Sequence, residues 1–189
     1  QKLIGANNTC IAVSNVALPG WNCETGNISD GTTGTGDLSY GFFTKGTSNF
    51  DINEGIILST GKAKAAQGPN DNLQDYYATN WREDQDLIDI LTKYNLPTDN
   101  ILNATSLEFD FIANTDKISF DYMFLSEEYQ KTNCKYSDAF AFLIKKADNS
   151  EAYRNIAIVP NTTSPVTSLT ISGANNCPQN INYFGGYLG

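Results

Sequence analysis

Three stretches between residues 106 and 144 alternate apolar and polar side chains with a period of two: SLEFDFI, KISFDYMFLS and DAFAFLI. That period sends successive side chains to opposite faces of an extended chain, so it specifies half-buried strands rather than a helix. Leu107, Phe109 and Phe111 fall on one face, and Glu108 and Asp110 on the other. Ile118, Phe120, Tyr122 and Phe124 are expected to point inward along the second stretch, as are Phe140, Phe142 and Ile144 along the third.

Further strands are expected in TCIAVSNVAL, in the run Ile56 to Leu58 that stops at Gly61, in YRNIAIVP and in VTSLTIS. Helical spacing replaces this pattern once, around residues 83–94, where Leu87, Ile88 and Leu91 share a face and Pro97 is expected to end the element. The acidic start of that helix, EDQD, suits the positive end of its dipole. Many short strands around one helical excursion predict a mainly β chain of β-sandwich or jelly-roll type. The 189 residues fit a single domain spanning 1–189 better than two.

Negative charge limits the partners. A formal net charge of −9 opposes binding to a nucleic-acid backbone or an anionic lipid surface, and leaves cations as compatible small partners. No run reaches the roughly 18 apolar residues that suggest a membrane span. The glycine-rich GNISDGTTGTGDLSYG has no GK[ST] ending and reads as a surface loop, not a phosphate cradle.

Between the second and third alternating stretches lies SEEYQKTNCKYSD. Loops held by a rigid sheet are favoured binding positions. Glu127, Glu128 and Asp138, with Asn133 and backbone carbonyls, would supply the oxygen-rich shell that calcium takes. The alternative is a set of solvated loop charges, one of them accepting backbone hydrogen bonds. A glycoside hydrolase is also open, using Glu127 or Glu128 with Asp121 or Asp138, since that chemistry needs two carboxylates. Neighbouring glutamates on an extended chain diverge and do not make the pair by themselves. Serine or cysteine hydrolysis is disfavoured, because the chain has no histidine to act as base.

Trp21, Trp81, Tyr76, Tyr77, Tyr129 and Tyr136 lie among Asn, Asp and Gly, as aromatics do in sugar-binding loops. Packing is the ordinary use of such residues, and stacking on a sugar ring the functional one. Trp81, Tyr129, Tyr136 and Asn133 are the candidate ligand-binding set. The four cysteines, Cys10, Cys23, Cys134 and Cys177, form no CxxC pair and favour disulfides over zinc. Three connectivities are open, with Cys10–Cys23 and Cys134–Cys177 the expected one. Oxidised cysteines imply an extracellular or periplasmic home.

GIILSTGKA and GPND, then LEFDFIANTDKISFDYMFLSEEY, DAFAFLI and YRNIAIVPNTTSPV, occur in an order and spacing that resemble the choice-of-anchor L domain. The resemblance covers roughly residues 10–188. It implies a secreted or outer-surface bacterial protein after signal-peptide removal, often exported by the type IX secretion system of Bacteroidetes. It also implies neighbouring adhesion-type modules, and a chain that is a fragment of a longer surface protein. No catalytic residues attach to the family motif. Ser59, Thr60 and Gly61, with Glu127, Glu128, Tyr129 and Asp138, match as motif positions only. The resulting expectation is a non-enzymatic binding or adhesion module, recognising glycan or another surface protein and stabilised by calcium. A glycoside hydrolase and a structural spacer in a surface filament are the alternatives.

Overall fold

The computed structural model describes residues 11–17, 38–67, 83–99, 101–113, 116–129 and 137–186. Among these residues the chain is mainly strands, with one α-helix and small antiparallel sheets. It divides into two compact units, Gln1–Glu83 with Leu102–Met123, and Asp84–Ile101 with Phe124–Gly189.

In the first unit, strand β1 (Ile11–Ala17) pairs antiparallel with a strand at Glu108–Ala113, in register from Ile11 opposite Ala113 to Ala17 opposite Glu108. The register shifts between Ser14 and Ala17, where Asn15 adopts a left-handed φ of 51°. Asparagine tolerates that conformation better than most residues, and one extra residue on β1 makes the irregularity a bulge. The Asn15 carboxamide donates to Asp110 Oδ2 at 2.6 Å, fastening the bulge to the opposite strand. Phe109 and Phe111 are half-buried while Glu108 and Asp110 are exposed, as the alternation predicts.

A hairpin follows β1: β2 (Tyr40–Thr44) pairs with β3 (Glu54–Leu58). Its Phe43 lies opposite Gly55, and a Cβ on that glycine would come within 3.0 Å of the ring. Phe50 meets Phe43 edge to face at 5.8 Å and packs the turn back onto the strands. Beyond β3 the LSTG block forms a bracket. Ser59 Oγ accepts from Gly61 N at 3.0 Å, and the Ser59 carbonyl accepts from Thr105 Oγ1 at 2.7 Å.

The second unit begins with α1 (Gln85–Lys93), shorter than the expected 83–94 at both ends. Asp84 has extended backbone and accepts from Leu87 N at 3.0 Å, so it caps the helix instead of joining it. Asn95, not Pro97, terminates it. With φ at 55°, Asn95 donates to Thr92 O at 3.0 Å while Leu96 N donates to Leu91 O at 3.0 Å, the pair of bonds that defines a Schellman motif. Ile90 and Leu91 are its buried residues, with Leu87 and Ile88 half-buried.

The strand Glu108–Ala113 is β4. The expected strand KISFDYMFLS takes no ladder partner among the described residues, and Tyr122, expected inward, is 44% exposed. Ile118, Phe120 and Phe124, also expected inward, are half-buried, whereas Ser119, Asp121 and Leu125 are exposed.

DAFAFLI is split into β5 (Ala139–Phe140) and β6 (Leu143–Ile144), which pair with β8 (Val166–Thr167) and β7 (Arg154–Asn155) respectively. The Asn155 side chain causes the split. Its Oδ1 accepts from Phe142 N at 3.1 Å and Ala157 N at 3.0 Å, and its Nδ2 donates to Ala157 O at 3.2 Å. A side chain thus serves groups that a continuous ladder would have paired through the backbone. VTSLTIS likewise stops as a strand after Thr167, whose buried Oγ1 accepts from Leu169 N and Thr170 N at 3.2 and 3.0 Å. Those bonds turn the chain. Val159, Val166, Ala157 and Ala174 form this unit's buried apolar set with Ile90 and Leu91.

Candidate functional site

The SEEY turn is built from its serine. Ser126 Oγ donates to Asp138 Oδ2 at 2.6 Å and accepts from Glu128 N at 3.0 Å. One hydroxyl therefore closes the turn and ties it to the residue that leads into β5. Asp138 is held a second time, because its carbonyl accepts from Ser168 N at 3.2 Å and extends the β5–β8 ladder. Its carboxylate has a fixed position and an engaged oxygen.

Tyr129 packs into a three-ring cluster. It meets Phe124 at 6.2 Å and Phe184 at 5.2 Å, both edge to face. Burial, reinforced by the nearby Asp138 charge, pushes its hydroxyl up to about 12, since both disfavour the phenolate. Phe184 in turn lies over Gly173, where any Cβ would overlap the ring.

Glu127 and Glu128 are half-buried beside this cluster in sequence, while Asp121 is exposed and belongs to the first unit. Among the described residues no group of three His, Cys, Asp or Glu side chains is placed to hold a metal ion. Trp81, Asn133 and Tyr136, and also Trp21, Tyr76 and Tyr77, lie outside the described residues, as do Cys10, Cys23 and Cys134. Cys177 is disulfide-bonded.

The turn thus brings Tyr129 and Asp138 together with Phe124, which alternation placed inward, and adds residues that alternation did not single out: Ser126, Phe184 and Gly173. Ser126 carried a local signal, a serine two residues before the Glu128 amide that it caps. Phe184 carried none, because its partners are 55 and 11 residues away in the chain.

No helix among the described residues is long and apolar enough to cross a membrane. The chain belongs to the choice-of-anchor L domain family, whose model matches residues 1–189. The family marks it as a domain of secreted or surface proteins. No curated protein and no solved structure matches it.

Proposed function

We propose that this domain is a non-catalytic binding module of a secreted or surface-exposed bacterial protein, holding glycan or a neighbouring surface protein through the loops around the SEEY turn. The observation that carries this proposal is the Ser126–Asp138 bond. It makes a motif carboxylate a strut of the turn, and a strut serves to present a loop. Family membership supports the surface setting, and the net charge of −9 favours neutral or cationic ligands.

In this proposal the strands form a β-sandwich, which the long-range pairing of β1 with β4 and the two-residue alternation of β4 support. An experimental structure tests it, because two sheets facing each other at about 10 Å would be required. The expected Cys134–Cys177 and Cys10–Cys23 pairings are kept as proposals and are tested by peptide mapping without reduction.

The functional test is binding of the purified chain to immobilised glycans and surface-protein fractions, with product analysis of the same glycans. Saturable retention without bond cleavage is expected. Cleavage that Asp138→Asn abolishes would favour the glycoside hydrolase.

A further inference from the structure

We propose that residues 179–186 form a releasable strap that latches the SEEY turn, with Phe184 as the key and Gly173 as the slot that admits it. The root of the strap is fixed by reciprocal backbone bonds between Ser172 and Gln179, at 2.8 and 3.1 Å. Asn180 then adopts a left-handed φ of 43° and its Nδ2 donates to Thr170 O at 2.7 Å, redirecting the chain. A 3₁₀ turn at Ile181–Tyr183 follows, closed by Tyr183 N donating to Asn180 O and Phe184 N to Ile181 O.

Within that turn Ile181, Asn182 and Tyr183 are all exposed, whereas Phe184 is half-buried. Asn161 Nδ2 donates to the Tyr183 hydroxyl at 3.4 Å, and among the described residues the strap meets the turn through the Phe184 ring. That ring needs the missing Cβ of Gly173 on one side and the edge of Tyr129 on the other. Gly185 and Gly186 come next, with open space where their side chains would stand. A segment held beyond its root by one half-buried ring and two side-chain hydrogen bonds, Asn180 Nδ2 to Thr170 O and Asn161 Nδ2 to the Tyr183 hydroxyl, is the kind that opens below the free energy of global unfolding.

Closed, the strap covers Tyr129; open, it offers Tyr129 and Phe124 together as an aromatic surface of the type that stacks on a sugar ring. That last consequence rests on the binding-module proposal, whereas the latch does not.

Nitration of the whole chain by tetranitromethane, mapped by mass spectrometry, tests the latch. Tyr153, in the same unit, is the internal reference. Phe184→Ala and Gly173→Ala are each expected to raise the Tyr129 to Tyr153 nitration ratio at least about fivefold, with Phe184→Leu intermediate. An unchanged ratio, or equal acceleration at both tyrosines, overturns the latch.

Amide exchange in the unaltered chain gives a second test that needs no variant to fold. The Tyr183 and Phe184 amides are expected to exchange together, at least about tenfold faster than Ile156 N, which donates to Phe142 O in the ladder region. Exchange of all three at one rate overturns the proposal. Failure to find any glycan or protein ligand would count against the binding module and leave both readouts of the latch intact.

Discussion

Ser126 and Asp138 are joined by a 2.6 Å hydrogen bond from hydroxyl to carboxylate, spanning twelve positions of the chain and closing the SEEY loop at its neck. Hydrogen bonds to charged acceptors contribute about 1.5–3 kcal/mol when buried, and less where solvent reaches them. Ser126→Ala and Asp138→Asn are each expected to lower stability by about 1–2 kcal/mol in urea unfolding. The double variant should cost clearly less than the sum, because both substitutions remove the same bond. Strict additivity would show that the two residues act independently.

Tyr129 makes stability sensitive to alkali. Its folded-state hydroxyl lies at about 12 against an ordinary value of 10.0, so the contribution is fully present below pH 10 and is lost as pH rises through 12. Thermal melts of the unaltered chain should fall across that window, and Tyr129→Phe should flatten the decline. A decline of equal slope in the variant would assign the loss to other groups.

At the start of α1 two neighbouring acids have opposite signs. Asp84 caps the helix, and Asp84→Ala is expected to cost about 1 kcal/mol. Asp86 has its carboxyl pushed up by burial, then by Asp84, with Lys145 opposing and Asp89 adding to the rise. A raised carboxyl favours folding below its unfolded value and costs stability once pH has risen through the folded one. Asp86→Asn should therefore raise the melting temperature slightly at pH 7, by an amount that solvent screening keeps small, and lose that gain in acid. A drop at pH 7 would mean that attraction to the helix dipole dominates instead.

Asn155 is the expected weak point of the second unit. Asn155→Ala removes two acceptor contacts and one donor contact that serve Phe142 and Ala157, at a cost of about 2–3 kcal/mol. Asn155→Asp keeps the acceptor and should fall between the two. Indistinguishable urea midpoints for all three proteins would remove the carboxamide from the account of the split strand.

What the sequence disclosed follows the range of the forces involved. Alternation in β4 and helical spacing in α1 are local patterns, and both elements are where they are expected. The helix ends depend on Asp84 and Asn95, polar residues whose capping competes with helix continuation, so the end was expected at Pro97 instead. DAFAFLI reads as one strand because its alternation is unbroken; the interruption comes from Asn155, more than ten residues later. The acidic SEEY residues were visible as a candidate site. The ring of Phe184 against Tyr129 was not, since no local pattern encodes a contact across 55 residues.

Metal dependence separates a hydrogen-bonded turn from an ion-organised one. A turn held by the Ser126–Asp138 bond without an ion predicts equal melting temperatures in millimolar calcium, in magnesium and after EDTA. A calcium-specific rise would place an ion on Glu127, Glu128 or Asp138, since a ligand of the folded state raises stability by mass action.

The central claim is that the SEEY turn presents a binding surface without performing chemistry. The most direct measurement is equilibrium binding of the unaltered chain and Ser126→Ala to a glycan and surface-protein panel, with each glycan analysed for cleavage afterwards. Saturable binding that weakens at least about tenfold, roughly 1.4 kcal/mol, in Ser126→Ala while every glycan stays intact is the expected result. Turnover of a glycan by the unaltered chain, or binding indifferent to Ser126, would contradict it.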